Sequence, residues 1–268
     1  AFKSIPKAFC VKNREKAKFN FFPTKWDLER KEKKMEYIII IIISILAIVL
    51  LKIGLNIHIK DIKNIKELGY NKELNKIAGK FPENKEICRA ILKTLKNEEV
   101  TIEETADSKT SLYIALTNKI IIANIKDTFT RIQTIAHECL HSIQNRRILL
   151  FNFAFSNFNI LYFIVAIFLI LFNIGNSMLY IVTWGILTLI YITVRGYLEN
   201  EAMSKAPYVA KAYMQEYQKQ NKNITEADIN TLAENFETLN KIGIPFTNFY
   251  LVTINLVKMI LLCILALI

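Results

Sequence analysis

Long apolar segments alternate with polar ones along the chain. Residues 38–51 are an almost unbroken run of Ile, Leu and Val, and with their flanks they approach the roughly 20 residues that cross a hydrocarbon core. Residues 148–172 and 178–194 form a second apolar block, which a short polar turn divides into a predicted helical hairpin. Residues 249–268 are the last apolar segment. This pattern predicts a multi-pass membrane protein.

In the polar segments, apolar side chains recur at the spacing of short helices and strands. Residues 71–78 and 84–96 have apolar side chains at helical spacing, with Pro82 between them. Residues 112–116 then alternate, and residues 120–123 are a second β-prone run. We therefore predict short amphipathic helices and a small sheet, in a fold that is mainly α.

The candidate chemistry lies in the segment I-A-H-E-C-L-H, which contains His137, Glu138 and His141. We predict that a helix starting near Thr128, capped by that residue or Asp127, carries this segment in its interior. Two histidines four residues apart then share one helical face, and neutral imidazoles suit zinc.

Glu138, between the two histidines, can take a proton from a water bound to that metal. The H-E-x-x-H spacing thus predicts a zinc site with His137 and His141 as ligands and Glu138 as the general base. Cys139 points away from the histidine face, so we expect it to pack in the core. The alternative is a surface helix that merely tolerates its histidines.

A third zinc ligand is expected, because a catalytic zinc site has three protein ligands and a water. The remaining histidine, His58, lies beside the first apolar segment, so we expect a carboxylate from the helix that the hairpin returns to the motif. Glu199 and Glu201 both begin that helix, but they are about 200° apart around it and cannot share one face. The alternative is that both only offset Arg195 and Lys205.

The net charge of +11 is concentrated at one end. Residues 1–34 hold 11 Lys/Arg and 4 Asp/Glu, or 11 − 4 = +7, which leaves +4 for the rest and argues against a nucleic-acid partner. Met35 directly precedes the first apolar segment, so we expect it to be the biological start and the arm before it to be extraneous or disordered. A basic juxtamembrane anchor is the alternative.

The distribution of charge also predicts an orientation. Arg146 and Arg147 precede the hairpin and Arg195 follows it, whereas the hairpin loop has no Lys or Arg. By the positive-inside rule the motif side is cytoplasmic, and the protein is expected in the cell membrane. The four cysteines have no paired spacing, which is typical of buried thiols in a reducing compartment.

The order of these parts resembles the bacterial membrane-bound neutral zinc metallopeptidases over residues 84–268. Residues 86–92 look like that family's helix before the sheet. Residues 135–144, I-A-H-E-C-L-H-S-I-Q, look like its zinc helix, and residues 198–206, L-E-N-E-A-M-S-K-A, look like its V-E-F-x-A-S-x-R-A segment. Two positions differ, since Leu140 stands where the family usually has Gly and Met203 where it usually has Ser.

The resemblance implies a membrane zinc endopeptidase that binds one Zn²⁺ per chain and acts on membrane-associated polypeptides. It favours Glu199, followed by Ala202 in a Glu-x-x-Ala pattern, as the third ligand over Glu201. In zinc peptidases an edge strand beside the zinc helix can hold an extended peptide, and residues 119–124 are the candidate, unless that strand is buried and unavailable. The competing functions are a non-catalytic membrane scaffold that retains the motif and, with less support, a transporter.

The expected organisation follows from these assignments. In order, the segments are a basic arm (1–34), a transmembrane anchor (35–56), a zincin-like subdomain (57–147), a transmembrane hairpin (148–194), a helical segment with the third ligand (195–246) and a C-terminal transmembrane segment (247–268).

Overall fold

The computed structural model describes residues 25–105, 107–108 and 110–268. The predicted basic arm lies outside the described residues up to residue 24, and residues 37–268 form one compact unit. The described residues are mainly helical, and the elements in chain order are α1 (Lys25–Gly54), α2 (Ile59–Gly69), α3 (Lys72–Ala78), α4 (Asn84–Thr94), β1 (Thr101–Glu104), β2 (Leu112–Ile114), β3 (Lys119–Ile122), α5 (Arg131–Ile143), α6 (Arg146–Leu171), α7 (Ser177–Gln220) and α8 (Glu226–Leu267).

Four of these helices are long and apolar enough to cross a membrane by length and composition. They contain the four apolar segments expected from the sequence. The candidate spans among the described residues are Lys34–Gly54, Arg146–Leu171, Ser177–Gln220 and Glu226–Leu267.

The last two long helices continue through residues that commonly interrupt a helix. α7 runs from the hairpin through Pro207. α8 passes through Gly243 and Pro245, so the boundary expected between residues 246 and 247 lies inside one helix. Tertiary packing outweighs the local propensity of these residues. Pro207 is buried, and a Cβ built on Gly243 would touch the Met203 side chain of α7 at 3.5 Å.

The start of α5 also differs from the prediction. The helix begins at Arg131, and its N-cap is Thr130, which makes no side-chain capping bond. The preceding turn is fixed by tertiary contacts instead, since the backbone N–H of Phe129 donates to Asn75 Oδ1 at 2.8 Å. The buried Arg131 guanidinium donates to the carbonyl oxygens of Lys126 and Phe81, each at 3.2 Å.

The sheet has three strands in the order β1-β3-β2. β3 is parallel to β1 and antiparallel to β2. β1 was not predicted from the sequence. Residues 119–124 were the candidate edge strand, with a buried and unavailable strand as the alternative. The edge position is wrong and the alternative holds, because β3 is the central strand and β2 is an edge.

Two separate hydrophobic cores stabilise the unit. The first contains α5, packed among α4, β3, the second half of α7 and the first half of α8. The second lies among the apolar helices and contains Tyr37, Ala166, Ile170, Ile181, Trp184, Leu262 and Cys263. The candidate chemistry therefore belongs to the first core, beside the start of α6 and the middle of α7, away from the loop that connects these two helices.

Candidate metal centre

α5 places the two motif histidines on one face. His137 and His141 are one turn apart, and their Nε2 atoms are 3.0 Å from each other. The opposite face of α5 is held in the first core, where Ile135 and Cys139 are fully buried. Cys139 Sγ lies 3.6 Å from the Sγ of Cys88, so this thiol packs in the core as expected. The rigid burial of one face directs the histidine face toward α7.

α7 brings a carboxylate to the same place. Glu199 Oε2 lies 3.4 Å from His137 Nε2 and 3.8 Å from His141 Nε2. Below it, α7 presents small, buried residues at one-turn intervals, namely Ala202, Ala206 and Ala210. Small side chains let two helix backbones approach closely, so this alanine stripe allows Glu199 to reach the histidines.

The three side chains can hold a metal ion. Within the described residues, the ligand atoms of His137, His141 and Glu199 all lie within 4.8 Å of one another. Ligand atoms about 2.0–2.2 Å from a tetrahedral metal are about 3.4 Å apart. The three separations of 3.0, 3.4 and 3.8 Å lie around that value, so the donors converge on one point.

Gln144 fixes the orientation of His141. Its Oε1 is 2.8 Å from His141 Nδ1, so in the neutral ring Nδ1–H donates and Nε2 keeps its lone pair for a metal. Gln144 Nε2 donates to the carbonyl of Leu198 at 2.9 Å and to Glu201 Oε2 at 3.0 Å. Burial lowers the pKa of His141, but hydrogen bonding to Glu199 and Gln144 and the charge of Glu199 outweigh it, and the pKa lies above its ordinary value.

The two glutamates of α7 have different surroundings. Glu199 Oε1 pairs with Arg195 at 2.7 Å while Oε2 faces the histidines. Glu201 pairs with Lys205 at 2.7 Å and contacts Gln144, without joining the metal group. Both ion pairs considered in the sequence analysis therefore exist, and one of them leaves a carboxylate oxygen directed at the histidines.

Glu138 is buried beside the histidines and lines a cleft. Burial raises the pKa of its carboxyl above the ordinary value, while the adjacent His137 and His141 and the backbone N–H of Tyr113 act in the opposite direction. Tyr113 belongs to β2, so the edge strand lies directly against this carboxylate.

The metal group separates two cavities. The first, which we call the front cleft, has a volume of about 600 Å³. The second, the rear cavity, has a volume of about 400 Å³ and lies between α5, α7 and α8. His137 and Glu199 border both. The front cleft is bounded by residues 111–115 of the β2 region, the three motif residues, the first turns of α6 (Leu149, Asn152, Phe153, Ser156) and Arg195, Leu198 and Glu199 of α7.

Comparison with models of known protein families, with curated protein sequences and with solved structures found no match. The two residues that differ from the resembled family both lie in apolar or cavity-lining positions. Leu140 is buried in the first core, and Met203 lines the rear cavity. His58 is exposed, contacts Asn56 at 2.9 Å and takes no part in the centre.

Some site residues were missed by sequence reasoning or given another role. Arg195 was expected to mark the topology or to offset the nearby glutamates, but not to hold a metal ligand in place, although its i,i+4 spacing to Glu199 is the spacing of helical ion pairs. Gln144 follows His141 by three residues and so lies on the same face. The position of β2 and of the α6 side chains had no sequence signal, since both depend on contacts between segments far apart in the chain.

Proposed function

We propose that this chain is a membrane-embedded zinc endopeptidase. The observation that carries the proposal is the convergence of His137, His141 and Glu199 beside a buried carboxylate, Glu138, on the wall of an open cleft. Two imidazoles and one carboxylate are the ligand set of a catalytic zinc site that keeps one position open. This is also the function that the resemblance to membrane-bound neutral zinc metallopeptidases implies.

Each residue has a distinct role in this proposal. His137, His141 and Glu199 would hold the zinc ion, which when bound would supply a water with a pKa lowered to about 7. Glu138 is the residue that would accept a proton from the water and deliver it to the leaving amine of the peptide bond. Arg195 holds Glu199, and Gln144 holds His141, so that both ligands keep their orientation.

The edge strand β2 provides a place for the substrate. It pairs with β3 on one side, and residues 111–115 line the front cleft beside the metal group. An extended peptide can add to such an edge by main-chain hydrogen bonds. In this proposal β2 has the role for which residues 119–124 were the candidate.

The membrane placement is part of the proposal. The four long apolar helices cross the bilayer, with the metal centre at the cytoplasmic face of the cell membrane, as the charge distribution predicts. The substrates are polypeptides that reach this face, including membrane-associated ones.

The test is metal analysis combined with cleavage by the purified full-length protein. We expect about one zinc per chain and hydrolysis of an unfolded polypeptide that chelation abolishes. Glu138→Gln should abolish hydrolysis while zinc stays bound, because this side chain acts on the water and is not a ligand. A zinc-loaded protein that cleaves no polypeptide would instead support a non-catalytic scaffold, and loss of zinc in Glu138→Gln would contradict the assigned role.

A further inference from the structure

One face of α6 extends the front cleft away from the metal centre. Leu149, Asn152, Phe153 and Ser156 all line the cleft, and their spacing of i, i+3, i+4 and i+7 makes them a single stripe over two turns. We call these four residues the α6 stripe. The substrate cleft is therefore walled by β2 near the centre and by an apolar, membrane-length helix farther from it.

The α6 stripe lies on the hydrocarbon side of the charged residues. Arg147 borders the same groove between α6 and α7 as Thr193 and Tyr197, so it lies level with Arg195. Beyond these two arginines, α6 has no charged residue as far as Leu171, and α7 has none back to Ser177. Arginine side chains at the end of such apolar stretches mark the membrane surface.

The cleft thus crosses that surface. Ser156 is nine residues beyond Arg147, which is about 13 Å along a helix axis, and Glu199 is one turn, about 6 Å, on the polar side of Arg195. An extended chain covers these roughly 20 Å in about six residues. A polypeptide lying in the whole cleft would have one end in the hydrocarbon and the other at the metal centre.

A polar group in the α6 stripe lacks a partner. Asn152 is 8% exposed, and its buried Oδ1 makes no hydrogen bond. An unpaired amide oxygen in apolar surroundings is costly, and a chain in the cleft brings backbone N–H groups that can pair with it after a small rotation of the amide. Asn157, on another face of the same helix, already donates to the carbonyl of Phe153 at 2.7 Å.

We propose that the front cleft selects polypeptides tethered by a membrane segment and cuts them at a fixed distance, about six residues from the substrate residue that lies beside Ser156 inside the bilayer and about two residues outside the membrane surface. The apolar end of the substrate leaves the bilayer along the α6 stripe, its extended part passes β2, and the portion beyond the scissile bond continues past His137 and Glu199 into the rear cavity. This inference rests on the proposed function and adds the substrate class and the position of cleavage.

The position of cleavage tests the inference directly. The full-length protein and a substrate with one transmembrane helix followed by an unstructured polar segment are placed in the same lipid vesicles. We expect cleavage about two residues outside the membrane surface, because Glu199 lies about 6 Å on the polar side of Arg195. After insertion of six polar residues next to the membrane, cleavage should stay at the same distance from the membrane and therefore occur at a new peptide bond. Cleavage at the original peptide bond, now six residues farther from the membrane, would overturn the inference.

Matched substitutions on α6 test the path. In the Glu138→Gln background, a photoreactive phenylalanine analogue at position 153 should cross-link the tethered substrate at least about fivefold more than the same analogue at position 158. Phe153 and Phe158 are 51% and 50% exposed, and of the two only Phe153 lines the cleft. Equal cross-linking at the two positions would contradict the path.

The amide has its own control. In the otherwise unchanged chain, Asn152→Leu should lower kcat/KM for the tethered substrate about tenfold while leaving thermal stability unchanged or raised, because it removes an unpaired group. Asn157→Leu should leave kcat/KM unchanged. An unchanged kcat/KM in Asn152→Leu would remove Asn152 from the substrate path.

A soluble peptide separates this inference from the proposed function. If the zinc-loaded protein cleaves the polar segment alone but cuts the tethered form at no fixed distance, the endopeptidase function stands and the inference fails. If it cleaves neither, the endopeptidase function itself fails. A faster rate on the tethered form is not sufficient support, because sharing a bilayer already raises the local concentration of the substrate.

Discussion

At the scale of residues, the centre depends on side chains that hold the ligands. Glu199 is anchored through one oxygen by Arg195 and presents the other to the histidines. His141 is held through Nδ1 by Gln144, which is itself bound to Leu198 and Glu201. Such contacts fix ligand geometry before a metal arrives, and their loss typically lowers metal affinity about 10- to 100-fold.

The two glutamates of α7 should therefore respond differently to removal. We expect Glu199→Ala to lower zinc affinity more than about 100-fold, because a ligand is lost. Glu201→Ala should lower it less than about tenfold, because Gln144 keeps its bond to the Leu198 carbonyl. Competition with a chromogenic chelator measures both affinities, and the opposite ranking would make Glu201 the ligand.

At the scale of elements, the distance between α5 and α7 sets the site. The alanine stripe of α7 follows Glu199 directly and packs in the first core. A larger side chain at one of these positions would push α7 away from α5. Enlarging one of these alanines should therefore shift α7 and lower the metal affinity, although all three ligands are still present.

We expect Ala202→Leu to destabilise the protein by about 1–3 kcal/mol through overpacking and to lower zinc affinity at least tenfold by moving Glu199. Ala212→Leu is the matched control, because Ala212 lies on the exposed side of the same helix. Thermal unfolding and zinc competition are the measurements. If Ala202→Leu kept the zinc affinity of the unchanged chain, the alanine stripe would have no role in placing Glu199.

Elements with a strong local pattern were predictable from sequence. The helices at residues 72–78 and 84–94 match their periodicity. Thr225 and Asp228 have the spacing of a capping box and form its two bonds, of 2.9 and 3.1 Å. Tertiary contacts decided the rest. They carried α8 through Pro245 and placed β3 between two other strands.

The residues of the candidate site also fall into those that local sequence spacing predicts and those that depend on tertiary contacts. His137 and His141 could be paired from their spacing alone, because one helix holds both. The approach of Glu199 was expected from the hairpin and the resemblance, and the structure brings it to the histidines. The α6 wall of the cleft was not foreseen, because no local pattern indicates which face of a uniformly apolar helix meets a cavity.

At the scale of the whole molecule, the two cores separate by position along the helices. The second core joins Tyr37, near the start of the apolar part of α1, and Ile181, near the start of α7, with Ile170 and Leu262, near the ends of α6 and α8. The first core contains the polar portions of α7 and α8 together with α3, α4, β3 and α5. Within residues 55–268, the long polar segments thus gather at one end of the apolar helices.

This separation, together with Arg146, Arg147 and Arg195 at the polar end, leads to the orientation prediction. In cells producing a chain with Cys10 replaced by Ser, a cysteine introduced at Ile174, in the charge-free loop between α6 and α7, should react with a membrane-impermeant maleimide added outside. One introduced at Glu98, exposed in the turn before β1, should react only after the membrane is permeabilised. The three other native cysteines are buried and should give little background. Labelling at Glu98 and protection at Ile174 in intact cells would place the metal centre on the outer face, and with it the substrates that the front cleft can reach.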